Sequence, residues 1–168
     1  MSLPEYHDYA RRLGEALIDL GWMMATAESC TGGLLSASLT DVPGSSQWFE
    51  RGFVTYSNDA KIAHLGVATD TLNHYGAVSE ETAMEMAGGV LATVSKADFA
   101  VSTTGVAGPG GGTAGKPVGM VCFGFAHRVG VGVSIQAVTR VFEGDRRQIR
   151  EAAVQFALTT AVQLISPR

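Results

Sequence analysis

Hydrophobic positions along the chain switch repeatedly between the spacing of an amphipathic helix and the short unbroken runs of a buried strand. Tyr6, Ala10, Leu13, Ala16, Leu17 and Leu20 predict a first helix, which Gly21 stops. The apolar run from Trp22 to Ala25 reads as a strand, and Leu34, Leu35, Ala37 and Leu39 as a second helix that ends before Pro43-Gly44-Ser45-Ser46. Gly52 to Tyr56 predicts a strand, after which Ser57 and Asn58 can cap a helix carrying Lys61 and Leu65. Helical signals return near Thr71 to Tyr75. A longer helix is expected after Ser79, with Glu80 and Glu81 complementing its dipole and Ala83, Met86, Ala87, Val90, Leu91 and Val94 on its apolar face. Its methionines read as core filler. Ala97 to Thr104 reads as a buried strand followed by a Gly-rich segment over 105–115. Two further strands, Val118 to Ala126 and Val131 to Phe142, should meet in a hairpin around Arg128 to Gly130, and Asp145 should cap a last helix running through Ile165. Helices and strands that alternate, with one late hairpin, predict an α/β fold: a three-layer α/β/α sandwich with a mixed, mostly parallel sheet. No internal repeat interrupts that order.

With 168 residues, 46% of them hydrophobic and 17% charged, residues 1–168 suit one well-buried domain. A net charge of −4 and scattered Lys and Arg argue against a surface devoted to nucleic acid. Arg146, Arg147 and Arg150 form one short basic cluster, either a solvated helix face or a phosphate site. Cys30 and Cys122 lie far apart and fit neither a metal nor a CxxC spacing, so a reduced, cytoplasmic setting is expected. Neither a signal-type stretch nor an apolar run of transmembrane length is present, so no membrane partner is expected. The edges of a mixed sheet are compatible with a homo-oligomer.

Chemistry concentrates at Ala27-Glu-Ser-Cys-Thr-Gly-Gly33, between a strand and a helix. A serine there sits near the free N–H groups of a helix start, where an oxyanion or phosphate is favoured, so Ser29 is a candidate nucleophile. The alternative is that Ser29 or Thr31 caps the helix. The Gly-rich segment invites two motif readings, and both fail: Pro117 replaces the Ser/Thr of a Walker A pattern, and a strand rather than a helix follows Gly110, Gly112 and Gly115. Either a backbone cradle for phosphate or ribose, or a flexible surface loop, remains. His7, His64, His74 and His127 show no metal-ligand spacing, and no metal site is expected. A Ser-His-Asp triad stays open because its members can be distant in sequence, although no GxSxG elbow surrounds Ser29. Lys61 could serve as a base only if burial or a cationic neighbour kept it neutral; taken alone it reads as a solvated helix lysine.

Many segments together change that balance. Besides Ala27 to Gly33 they are Gly44-Ser45, Phe49 to Gly52, Val54 with Tyr56-Ser-Asn58, Lys61, Leu65-Gly-Val67 and Gly76-Ala-Val-Ser79. Thr104-Gly105 with Ala107-Gly-Pro109, Gly111-Gly112, Lys116-Pro-Val-Gly119 and Phe142 with Gly144-Asp-Arg146 complete the set. In these positions the chain resembles the CinA C-terminal domain family, and within it the stand-alone nicotinamide-nucleotide amidases. Full-length members carry an N-terminal domain resembling molybdopterin-binding proteins, which has no counterpart in this sequence, so its activities are not expected here. The resemblance implies hydrolysis of the carboxamide of nicotinamide mononucleotide, giving nicotinic acid mononucleotide and ammonia, in pyridine nucleotide recycling. It implies a Ser-Lys arrangement in which Ser29 is the nucleophile, Lys61 the general base and Tyr56 a hydroxyl that relays a proton or orients one of them. By chemistry and position, N–H groups around Cys30, Thr31, Gly32 and Gly33 would stabilise the oxyanion. Thr104, Gly105, Gly111 and Gly112 would hold the nucleotide, and Arg146 its phosphate. No metal or organic cofactor is called for, and the partner is a small-molecule nucleotide. A non-catalytic nucleotide- or phosphate-binding module, or an amidase for another carboxamide, is the competing expectation.

Overall fold

The computed structural model describes residues 6–166, with Tyr6 described by its backbone alone. Tyr6 as an apolar side chain, and the ends of the expected 1–168 domain, therefore lie outside the described residues. The elements run α1 (Tyr6–Leu20), β1 (Met24–Glu28), α2 (Leu34–Thr40), a short 3-10 turn (Ser45–Gln47), β2 (Phe49–Val54), α3 (Asn58–Leu65), α4 (Thr69–Tyr75) and α5 (Glu80–Thr93). They continue with β3 (Phe99–Gly105), β4 (Met120–Val129), β5 (Gly132–Val141) and α6 (Arg146–Ile165).

The strands form one sheet in the order β2-β1-β3-β4-β5. β1 pairs in parallel with β2 and β3, whereas β4 is antiparallel to β3 and β5. Only β4 thus runs against the other strands, which gives the mixed sheet the pattern predicted.

Side chains alternate across the sheet, and the two faces differ in size. On one face Met24, Phe99, Val101, Phe123 and Phe125 pack with Leu13, Leu17, Trp48 and Leu158, under α1, α2 and α6. On the other, Ala25, Ala27, Ala100 and Ala126 meet Leu65, Met86, Val90 and Leu91, so the helical layer of α3, α4 and α5 approaches closely over small side chains. The expected inward positions of α5, from Ala83 to Val94, are all buried. Gly89 marks the tightest approach: a Cβ there would lie 2.0 Å from the Leu65 carbonyl oxygen, so its absence lets α5 touch the end of α3.

Several boundaries move. β1 extends through Thr26, Ala27 and Glu28 because all of its residues are buried between neighbouring strands. β2 starts at Phe49 rather than Gly52 and ends before Thr55; it is an edge strand whose Glu50 and Arg51 hide the usual alternation. The hairpin turns at Gly130-Val131, since Val129 pairs with Gly132. β3 spans Phe99–Gly105 rather than Ala97 to Thr104 and β4 Met120–Val129 rather than Val118 to Ala126, whereas α6 begins where expected, with Asp145 and Gln148 in a reciprocal capping box. No helix of the described residues is long and apolar enough to cross a membrane.

Candidate active site

Parallel strands bring their carboxyl ends to the same edge of a sheet, where ligands of α/β folds collect. Here β1 leads directly into Ser29, β2 leads through Thr55 and Tyr56 to α3, and β3 ends with Thr104 and Gly105. The Ser29 N–H donates to the Thr103 carbonyl at 2.9 Å, extending the β1–β3 ladder to the nucleophile candidate. The chain then turns into α2 through Gly32 and Gly33, whose φ angles of 56° and 102° suit glycine.

Neither Ser29 nor Thr31 caps α2. Glu28 does so from the preceding strand, fully buried. Its Oε1 accepts from the Thr31 hydroxyl at 2.6 Å, Gly33 N at 3.2 Å and Leu35 N at 2.8 Å. Its Oε2 accepts from Ser36 N at 2.9 Å and the Ser36 hydroxyl at 2.7 Å. A carboxylate from the chain itself therefore takes up the positive end of α2. The Gly33 N–H expected at an oxyanion is engaged by Glu28, and that of Gly32 donates to the Ser29 carbonyl at 3.1 Å. Among the described residues, the N–H groups of Cys30 and Thr31 have no oxygen acceptor.

The lysine is not solvated. Ser57 caps α3 as predicted, accepting from Ala60 N, and the first turn places Lys61 inward with a relative exposure of 1%. Its Nζ lies 2.9 Å from Ser29 Oγ, 2.9 Å from the Thr55 carbonyl oxygen and 3.1 Å from that of Tyr56. Burial lowers the Lys61 pKa below its usual 10.5, opposed by the nearby Cys30. A neutral amine suits these neighbours: its two N–H groups can face the two carbonyls while its lone pair faces the serine hydroxyl. The Thr55 hydroxyl, buried alongside, has no hydrogen-bond partner. Burial also pushes the Cys30 thiol up to about 12, which keeps it protonated and poorly nucleophilic near neutral pH.

A cavity of about 200 Å³ opens onto this pair, walled by Cys30, Tyr56, Ala77, Val78, Thr104, Gly105 and Ala107, with Arg146 at its rim. A wider depression over Asp70–Tyr75 contains neither Ser29 nor Lys61. The Thr104 hydroxyl donates to the Ala77 carbonyl at 2.7 Å and so ties two cavity walls together. Tyr56 meets the pair through its carbonyl; its 60% exposed side chain instead accepts from Arg146 Nη2 at Oη, at 3.1 Å. Arg146 Nη1 donates to the Gly108 carbonyl at 2.7 Å. Gly111 and Gly112, expected at the nucleotide, are exposed and do not line the cavity; Gly105 and Ala107 represent the Gly-rich segment there. The far end of that segment is held by Lys116 Nζ, which donates to the Tyr75 carbonyl.

Two charged residues hold positions that the sequence reading does not assign: Glu28, and Arg150, read there only as part of a solvated or phosphate-binding cluster. Glu28 belongs to the quoted heptapeptide, but a carboxylate in an otherwise apolar strand was its only distinguishing signal. Arg150 donates from Nε to the Cys30 carbonyl at 3.1 Å and from Nη2 to the Thr31 carbonyl at 3.0 Å. Its signal was helical spacing: Arg146 and Arg150 share one face of α6, while Arg147 pairs with Glu151 on the outside.

Known proteins resemble this chain over nearly its whole described length. The model of the CinA C-terminal domain matches residues 6–165. A protein of Enterobacter agglomerans called nicotinamide-nucleotide amidohydrolase PncC is 50% identical over 163 residues, covering 97% of each chain. The like-named protein of Escherichia coli strain K12 is 47% identical, over 97% of this chain and 96% of its own. A CinA-like protein of Chloroherpeton thalassium is 53% identical over 92% of this chain, which spans 36% of that longer relative. The crystal structure of the competence/damage inducible protein CihA from Agrobacterium tumefaciens superposes with a TM-score of 0.89 at 48% identity, covering 98% of this chain and 99% of that one.

Proposed function

This chain belongs to the CinA C-terminal domain family, and on that premise we propose that it is a nicotinamide-nucleotide amidase working through Ser29 and Lys61. Nicotinamide mononucleotide is hydrolysed to nicotinic acid mononucleotide and ammonia, as the names of the full-length relatives suggest. The observation that carries the mechanism is the buried Lys61 Nζ, 2.9 Å from Ser29 Oγ and backed by two carbonyls.

Neutral Lys61 takes the Ser29 proton as Oγ attacks the carboxamide carbon, whose oxygen becomes an oxyanion. When the C–N bond breaks, the Lys61 ammonium gives that proton to the leaving nitrogen, and ammonia departs. Water then attacks the acyl-serine, with Lys61 again accepting a proton, and returns it to Ser29 as the acid is released. Arg146, hydrogen-bonded to two uncharged oxygens at the cavity rim, is free in charge to receive the nucleotide phosphate. Tyr56 acts through its carbonyl on the base and through its phenol on Arg146. Residues 1–168 work as one domain, and the free thiols Cys30 and Cys122 suit a reducing cytoplasm.

The test is release of ammonia from nicotinamide mononucleotide and from a panel of other carboxamides, with hydroxylamine present in parallel. Ammonia from the nucleotide, and a hydroxamate formed at the expense of nicotinic acid mononucleotide, support an acyl-enzyme. Binding without ammonia would leave a nucleotide-binding module, and preference for another amide would reassign the substrate.

A further inference from the structure

The oxyanion of the proposed reaction needs donors that are already oriented, and the start of α2 does not supply them, because Glu28 occupies the N–H groups of Gly33, Leu35 and Ser36. Of the two N–H groups left, that of Thr31 belongs to a fully buried residue away from the cavity lining, whereas that of Cys30, which lines the cavity, lies on a peptide plane held from its carbonyl side. A trans peptide is planar, with its C=O and N–H pointing in opposite directions, so fixing one fixes the other. Arg150 Nε holds the Cys30 carbonyl at 3.1 Å, which aims the Thr31 N–H away from the guanidinium. Arg150 Nη2 holds the Thr31 carbonyl at 3.0 Å; the N–H of that same peptide, on Gly32, donates to the Ser29 carbonyl at 3.1 Å. That bond in turn fixes the Ser29–Cys30 peptide and its N–H. One side chain on α6 thus holds the Cys30 carbonyl directly and sets the Cys30 N–H through one intervening peptide.

We propose that Arg150 is a positioning residue for an oxyanion site built on the backbone N–H group of Cys30. Besides orientation it supplies polarisation: a cation hydrogen-bonded to the Thr31 carbonyl makes the Gly32 N–H a stronger donor to the Ser29 carbonyl, and that in turn strengthens the Cys30 N–H of the same peptide as a donor. Glu28 completes the arrangement by gripping the turn from its opposite end. At Gly32 the φ of 56°, rather than the space beside Arg150, calls for glycine, since a Cβ there would meet Nη2 at an ordinary 3.4 Å. The inference rests on Ser29 acting as a nucleophile.

The experiment measures kcat and KM for ammonia release from nicotinamide mononucleotide by wild type, Arg150→Ala and Arg150→Lys, with thermal unfolding of each. Labelling of Ser29 by a small fluorophosphonate, followed by intact mass, is run in parallel. Arg150→Ala should lower kcat roughly 100-fold, the effect of losing one preorganised oxyanion donor, and change KM less than about threefold. Arg150→Lys, which can hold one carbonyl but lacks the planar fork, should fall between it and wild type. Guanidinium chloride at low, non-denaturing concentration should restore part of the Arg150→Ala rate and leave wild type unimproved. Variants that retain wild-type kcat, or that lose activity only in proportion to their folded fraction without guanidinium rescue, overturn the role of Arg150 alone. A wild type that neither releases ammonia nor is labelled at Ser29 overturns the nucleophile reading and this inference with it.

Discussion

Ser29 differs from an inert buried serine by one neighbour, the Lys61 amine at 2.9 Å. Ser29→Ala deletes a single oxygen and should reduce kcat by roughly 10⁴-fold or more, while calorimetry shows nucleotide affinity close to wild type. Cys30→Ala should keep most of the rate, since a thiol held up at about 12 contributes little thiolate. For Lys61 the pH dependence carries the argument. Burial lowers its pKa from 10.5, so activity should rise with pH as the amine loses its proton at a lower pH than an exposed lysine would. Lys61→Arg keeps a charge that does not titrate and should be as inactive as Lys61→Met; substantial turnover by the arginine variant would remove the base assignment. Stability follows from the same shift. Between the lowered native pKa and 10.5 the unfolded chain binds the additional proton, so raising the pH through that window favours the native state. The stability of Lys61→Met relative to wild type should therefore be most favourable below the window and decline toward its upper end, as read from urea denaturation at a series of pH values.

At the scale of elements, the proposed dyad depends on how closely α3 is held. Gly89 on α5 faces the last carbonyl of α3, and Gly89→Ala would put a Cβ 2.0 Å from it. The helix must shift, so we expect a loss of about 1–3 kcal/mol in stability together with reduced kcat, measured by chemical denaturation and ammonia release. Unaltered kinetics in a destabilised variant would show that Lys61 does not depend on that contact. The sequence disclosed elements whose signals are local. Asp145 and Gln148 lie three positions apart and announce α6, and the inward face of α5 was readable from helical spacing. It concealed those whose determinants come from elsewhere. β2 is an edge strand with charged residues, and α2 receives its cap from Glu28, several positions upstream in another element. No inspection of likely N-cap positions finds such a residue.

At the scale of the molecule, the β1–β2 and β1–β3 pairings bring residues far apart in the chain to one sheet edge. The family motifs identified Ser29 and Lys61, but the burial of Lys61 required the path of β2, the turn of α3 and the seat of α5 to be known together. The same distance effect placed Gly111 and Gly112 away from the cavity while drawing in Arg146 from the last helix. Arg146→Ala should raise KM for nicotinamide mononucleotide about tenfold or more, the size of a lost charge-assisted hydrogen bond, and affect nicotinamide riboside much less. Equal losses for the two ligands would argue against a phosphate contact. Two of the three groups around Lys61 Nζ are main-chain oxygens, those of Thr55 and Tyr56, and the Thr55 hydroxyl beside them is unpartnered. The surroundings of the Lys61 amine are therefore encoded by a bend in the chain rather than by the letters at those positions. In a saturation scan Thr55→Val should pass as neutral, and any descendant sequence that preserves the bend inherits the tuned amine whatever alphabet it uses there.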